Sequence, residues 1–310
     1  MAIPDFFIIG AQKCGTDALY QALRRHPEVY MSPEKEPSYF MMDGALPNFR
    51  IPSSAYARRL VCDWDRYQRL FDGVTDHKAI GEASAIYLSS YFPEQTAARI
   101  CERIPEARLI ALVRQPADRA YSAHTFYHAR ELEPLADFSD ALSAELARLT
   151  DGTCPDIRHY RNGCYFRNLK PYFDIFPRNQ IRVYLFEEWN SQPAYVLRDI
   201  FRFLGVDEDV SINVERVNVT SLYRSRFLRR FFINPGRVGR WLQSVAPGPA
   251  LERLRRWNQV TPPPFPPEIR RSLTLAYRDE ILALQRLLGK DLSSWLIVPD
   301  EHSPLYEEAS

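Results

Sequence analysis

The 310-residue sequence predicts an α/β fold, a P-loop-like parallel sheet flanked by helices. Residues 5–10 and 108–113 are short, continuous apolar runs, the pattern of strands buried on both faces. Each passes directly into a loop and then into a helical pattern. Strand-like and helical stretches go on alternating as far as Phe186, which argues for parallel strands joined by crossover helices.

The elements follow in order. After the strand at 5–10 and the loop at 11–16, apolar Ala18, Leu19, Ala22 and Leu23 recur at helical spacing until His26-Pro27 stops them. Residues 28–60 read as loop-rich and contain the polar stretch Ser32-Pro33-Glu34-Lys35-Glu36-Pro37. A helix is expected over 64–71 and a strand over 79–87. The strand at 108–113 exits through Arg114-Gln115, and Pro116 stands at the first position of a helix reaching Arg130. Helices over 138–149 and 165–173 and a strand over 180–186 continue the alternation. The proline-rich tract at 261–267 is expected to form a rigid turn before one helix over 267–288. No internal repeat is present.

Composition narrows the function classes. Apolar residues make up 45% and aromatics 13%, enough for a sizeable core. Forty Lys plus Arg balance 39 Asp plus Glu, a net charge of +1, so no global field draws the chain to nucleic acid. Any anion site is therefore local. Lysine is scarce, only Lys13, Lys35, Lys78, Lys170 and Lys290, so a lysine inside a glycine-containing loop stands out. Five cysteines without a close pair fit neither a disulfide framework nor a zinc knuckle and suggest reduced thiols. The N-terminal apolar run has no basic flank and is too short for a signal peptide or membrane span. The expected setting is cytoplasmic, without an integral membrane segment. The segment 223–254 is dense in Arg and aromatics. A covering helical pair with inward aromatics suits it better than a membrane-surface helix, given the near-zero net charge.

Gly10 and Gly15 bracket Ala11-Gln12-Lys13-Cys14 with the spacing of a phosphate-binding loop, between a strand and a helix as that motif requires. A nucleotide triphosphatase needs Lys and then Ser or Thr directly after the second Gly, the hydroxyl serving magnesium. Here Thr16-Asp17 follow, and Lys13 lies within the loop. The second strand departs in the same sense, ending in Arg114 where a metal-holding Asp would stand, and an Arg binds phosphate directly. Together the two loops describe an anionic nucleotide held by Lys and Arg without a metal. Thr16 is expected to cap the first helix.

Gln12-Lys13-Cys14-Gly15-Thr16 resembles the 5′-phosphosulfate loop of sulfotransferases that use 3′-phosphoadenosine 5′-phosphosulfate (PAPS). Val113-Arg114-Gln115-Pro116-Ala117-Asp118-Arg119-Ala120-Tyr121-Ser122 is similar to their 3′-phosphate motif. Further likeness runs through Lys35-Glu36-Pro37-Ser38-Tyr39-Phe40, Gly81-Glu82-Ala83-Ser84, Gly163-Cys164-Tyr165 and the stretch from Leu287 to Trp295. The likeness is greatest to the bacterial branch related to heparan sulfate sulfotransferases, and spans almost the whole chain. It implies a single sulfotransferase domain over 1–310, with a nucleotide-binding core at 1–210 and a mainly helical covering region at 211–310. One departure is Asp17, where many relatives carry Thr or Ser.

The resemblance implies sulfuryl transfer from PAPS, a co-substrate, to a hydroxyl or amine. The acceptor is a small molecule, saccharide, lipid or peptide that the sequence does not identify, and the oligomeric state is equally open. By this likeness Gln12, Lys13, Cys14, Gly15, Thr16, Asp17 and Ala18 hold the 5′ end of the nucleotide, and Arg114 with Ser122 holds the 3′-phosphate. Lys13 is the cation at the leaving group, Glu36 the general base, and His124 and His128 the runners-up for that role. Tyr165 and the Arg224 region are expected to close over the nucleotide, and Leu288 and Trp295 to be core. The alternatives are a P-loop nucleotide kinase, which the residue order opposes, and a nucleotide-binding module, which needs no base.

Overall fold

The computed structural model describes residues 2–42, 60–89, 92–150, 158–214, 222–225 and 248–298, with Leu228, Phe231, Phe232 and Arg240. Five strands form one parallel sheet: β1 (Phe6–Gly10), β2 (Val29–Met31), β3 (Ala79–Ala83), β4 (Arg108–Val113) and β5 (Ile181–Leu185), in the order β2-β3-β1-β4-β5. Phe6, Phe7, Ile8 and Ile9 of the central strand are all fully buried, so helices cover both faces. In register, Phe7 of β1 lies between Glu82 of β3 and Leu109 of β4.

The helices are α1 (Thr16–Leu23), α2 (Tyr39–Met42), α3 (Trp64–Arg69), α4 (Pro93–Arg103), α5 (Pro116–Ala129), α6 (Phe138–Thr150), α7 (Tyr165–Ile175), α8 (Phe186–Ser191), α9 (Pro193–Leu204), α10 (Gly248–Asn258), α11 (Pro267–Ala276) and α12 (Arg278–Leu288). The chain builds β2 and β3 on one side of β1 and then crosses to place β4 on the other. Loops that follow β1 and β4 therefore meet at a switch point outside the carboxyl ends of the strands, where open parallel sheets bind ligands.

Three expectations are corrected. The strand over 79–87 ends at Ala83: the Ser84 N–H makes the last ladder bond, to the Ile8 carbonyl (3.1 Å), after which the Tyr87 N–H turns back to the Ser84 carbonyl (3.0 Å) and the Ser84 and Tyr87 hydroxyls fold onto Glu82. The helix over 267–288 is two helices meeting at Tyr277, which is fully buried and donates its hydroxyl to the Tyr160 carbonyl at 2.7 Å. The loop-rich stretch contributes β2, a short strand paired in register with Ala79, Ile80 and Gly81.

The C-terminal elements clamp the second strand–helix unit. Gln115 donates through Nε2 to Thr274 Oγ1 and to the Trp295 carbonyl, both at 3.2 Å. Arg270 meets Asp118 in a two-pronged ion pair at 2.9 and 3.2 Å. Tyr121 stacks on Phe265 at 4.6 Å and donates to the Pro263 carbonyl, which ties the proline tract to α5. Trp295 is buried and Leu288 packs at the edge of the core. Leu222–Tyr223 and Gln259–Val260 form a short antiparallel ladder, and exposed Arg224 lies over the Trp257 ring. Most of segment 223–254, including Arg226, Arg229, Arg230, Arg237 and Trp241, lies outside the described residues.

Candidate functional site: an anion cradle beside a carboxylate loop

The loop after β1 is shaped by two glycines. Gly15 has φ +90°, and a Cβ there would stand 3.2 Å from Trp189 and 3.3 Å from Phe186 of α8, so the loop lies flat on that helix. Gly10 admits no side chain because a Cβ would come within 2.5 Å of Leu88 Cβ. Gly15, in the left-handed conformation, is itself the residue before α1, so Thr16 falls at the first helical position and does not cap. That corrects the expected capping role. Thr16 is buried at the start of α1, with Asp17 and Ala18 behind it in the first turn.

Lys13, at φ +68°, places its ammonium 4.0 Å from the centroid of Phe126 on α5. Arg130, just past the end of α5, lies 3.5 Å from the same ring. Burial, then the charges of Arg130 and Arg114, push the Lys13 amine down to about 8, against weaker opposing pulls from Cys14 and Asp17. Positive potential thus dominates at a helix start, the condition under which a multiply charged anion binds.

Arg114 leaves the end of β4 with its guanidinium 4.8 Å from the Phe186 ring. Ser122 is half-buried on α5, one turn before Phe126, and so lies on the helix face that Lys13 meets. Gln12 is fixed from behind, its Oε1 accepting from the Tyr127 hydroxyl (3.1 Å) and from Asn162 Nδ2 (3.4 Å). Cys14 is buried, its thiol pushed up to about 11 by desolvation, and shares a hydrogen bond with the Tyr165 hydroxyl at 3.5 Å. That hydroxyl also accepts the Arg114 N–H at 3.4 Å. Tyr165 is fully buried, so in place of the expected cover over the nucleotide it is a brace beneath both loops.

Glu36 lies in the polar loop after β2, at φ +61°, with its N–H on the Ala83 carbonyl at 2.9 Å. Lys35 connects this loop to the anion cradle: it pairs with Asp17 at 2.7 Å and stands 3.9 Å from Glu36 Oε1. The Asp17 departure is thereby explained, since its carboxylate engages Lys35 from the loop that carries Glu36. The two histidines face the other way. His124 is buried with Nε2 on the Leu135 carbonyl at 2.9 Å, and burial lowers its pKa. His128 uses Nδ1 on the Glu133 carbonyl at 3.1 Å. A separate cavity of about 520 Å³ is lined by Tyr39, Phe40, Trp64, Arg99, Glu102 and Arg103, none of them from the cradle.

Sequence reasoning passed over Arg130 and Phe126. Their spacing of four on a helix that begins at a phosphate motif is the signal that points to them.

The fold and the cradle define a class: a parallel α/β protein with a glycine loop after one central strand and an arginine at the end of the adjacent strand, side by side at the switch point of the sheet. Residues 3–260 match the family model described as a sulfotransferase domain, and the chain belongs to that family. It is 27% identical over 302 residues to the human bifunctional heparan sulfate N-deacetylase/N-sulfotransferase 3, covering 95% of this chain and 31% of the relative. To human carbohydrate sulfotransferase 15 it is 26% identical over 251 residues, 66% of this chain and 44% of that protein. The chain thus spans about a third to under half the length of these curated relatives. A crystal structure of a sulfotransferase from Alicyclobacillus acidocaldarius superposes with a TM-score of 0.75 at 31% identity, covering 95% of this chain and 99% of that one.

Proposed function

We propose that this chain transfers a sulfuryl group from PAPS to a hydroxyl or amine of an acceptor, releasing adenosine 3′,5′-bisphosphate. The observation that carries the reading is the gathering of three cations beside the glycine loop, Lys13 and Arg130 on the Phe126 ring and Arg114 on Phe186, which packs against Gly15, in a chain of the sulfotransferase family. PAPS supplies the activated sulfuryl group, and its paired anionic ends suit two cationic loops at adjacent strand ends.

In this reading Lys13, charged, steadies the negative charge that builds on the leaving phosphate oxygen. The loop of Gln12, Cys14, Gly15, Thr16, Asp17 and Ala18 seats the 5′ end at the helix start. Arg114 and Ser122 hold the 3′-phosphate, the guanidinium by a two-pronged contact. Glu36 takes the acceptor proton, supported by its place in a loop tied through Lys35 to Asp17. A saccharide acceptor is favoured by the names of the relatives. We also take residues 1–210 and 211–310 as core and cover of one domain, supported by the contacts of Gln115 and Asp118 with the C-terminal helices. A cytoplasmic setting is supported by the five cysteines, which show no close pairing in the sequence. No helix among the described residues is long and apolar enough to cross a membrane.

Incubation with PAPS and a panel of saccharide, lipid, peptide and phenolic acceptors, with mass spectrometry for an added sulfuryl group, tests the reading. Lys13→Ala should lower turnover by about 10² to 10³ at saturating PAPS. Glu36→Gln should lower it by about 10² to 10⁴ while leaving nucleotide affinity intact. A Glu36→Gln protein with wild-type turnover removes Glu36 from the mechanism.

A further inference from the structure

Glu82 is a fully buried carboxyl at the end of β3, and among the described residues no cation pairs with it. It is held instead by hydroxyls. Ser84 donates to Oε2 at 2.8 Å, and Tyr87 and Tyr67 donate to Oε1 at 2.7 and 3.3 Å. A hydroxyl has one hydrogen and two lone pairs, so once its hydrogen is committed it is available only as an acceptor. Two of these hydroxyls use that capacity on one segment. Ser84 Oγ accepts the Ser38 N–H at 3.0 Å, and the Tyr87 hydroxyl accepts the Phe40 N–H at 3.3 Å. Ser38 and Phe40 lie two and four residues after Glu36.

The segment needs such a hold. Glu36 and Ser38 both have positive φ, 61° and 57°, conformations that non-glycine residues keep only where their surroundings enforce them. The segment is also tied by the Glu36 N–H on the Ala83 carbonyl at 2.9 Å and by the Val61 N–H on the Pro37 carbonyl at 2.9 Å. We infer that Glu82 is a positioning residue for Glu36: its carboxyl orients the Ser84 and Tyr87 hydroxyls, and these fix the backbone that aims the Glu36 side chain. The inference rests on the reading of Glu36 as the base. Glu82 itself is buried and touches no reactant. A buried carboxyl without a cation is costly to the fold, which fits a part kept for orientation.

The test is a double-mutant cycle on the whole chain, read as release of adenosine 3′,5′-bisphosphate from saturating PAPS with a glucosamine oligosaccharide or water as acceptor. Ser84→Ala and Tyr87→Phe each remove one hydroxyl, and serve if Glu82→Gln fails to fold. Each should lower kcat about five- to twentyfold, the scale of one lost buried hydrogen bond, with adenosine 3′,5′-bisphosphate affinity unchanged. On the Glu36→Gln background the same changes should cost less than about twofold, since both act through one side chain. Amide hydrogen exchange at Ser38 and Phe40 should accelerate at least about tenfold in the matching variant while β1 stays protected. Full-size losses on the Glu36→Gln background, or wild-type rates and wild-type exchange in both hydroxyl variants, overturn the inference. If Glu36→Gln alone keeps the wild-type rate, the assignment of the base fails and the positioning role with it. If Glu36→Gln is impaired and the hydroxyl variants are not, only the positioning role fails.

Discussion

Binding of adenosine 3′,5′-bisphosphate at alkaline pH should take up a proton at Lys13. In the free protein, burial and the neighbouring Arg130 and Arg114 charges bring this amine down to about 8. A bound phosphate reverses those influences and returns it toward the ordinary lysine value of about 10.4. At about pH 8.5 roughly three quarters of the free protein carries neutral Lys13, so each binding event should draw about 0.75 proton from the buffer. Affinity follows with a definite sign. The charged amine favours the ligand, so affinity is full below about pH 7 and falls about tenfold by pH 9. The ligand does not mask the effect, because its phosphates complete their ionisation near pH 6. Isothermal titration calorimetry at one pH in buffers of different ionisation enthalpy measures the uptake directly. A flat affinity between about pH 7 and 9, or the same uptake in Lys13→Ala, would refute the argument that Lys13 meets the phosphate.

Removing the 3′-phosphate from the ligand should weaken binding at least about tenfold, and Arg114→Ala should abolish that discrimination, as competition titrations will show. Gly15→Ala must force a side chain into a left-handed position 3.2 Å from Trp189, and should cost about 1 to 3 kcal/mol in denaturant unfolding as well as anion affinity. Burial holds the Glu82 carboxyl up at about 7, whereas in the unfolded chain it ionises near 4.5. The neutral group therefore contributes stability that is present below about pH 4.5 and is lost by about pH 7, roughly 3 kcal/mol in all. Glu82→Gln should flatten that part of the stability curve. An unchanged slope would show that the buried carboxyl is not what titrates.

Much of this site was legible in the sequence because strands buried on both faces read as unbroken apolar runs. Residues 5–10 and 108–113 are such runs, and each is punctuated by a loop with chemistry of its own. What was not legible depends on contacts far apart in the chain. β2 is three residues long and exists because Ala79, Ile80 and Gly81 pair with it, so no periodicity marks it. The break at Tyr277 follows from a hydroxyl reaching Tyr160, 117 residues away. Helix α4 escaped the reading although Pro93 opens it and Thr96, Ala97 and Ile100 recur at helical spacing. The pairing of Asp17 with Lys35 was invisible for another reason. A carboxylate in the first turn reads as ordinary helix chemistry until the loop carrying Glu36 is folded beside it. Motif spacing therefore located the cradle, and only tertiary contacts joined it to Glu36.

The central claim is sulfuryl transfer from PAPS with Lys13 at the leaving group. It is tested most directly by PAPS carrying radioactive sulfur, in buffer containing a metal chelator, with wild type and Lys13→Ala compared. The account predicts that label enters the acceptor one for one with adenosine 3′,5′-bisphosphate released, and that Lys13→Ala slows both together by about 10² to 10³. Label transfer at the wild-type rate in a folded Lys13→Ala protein would contradict it, as would an enzyme that ignores PAPS and releases phosphate from ATP.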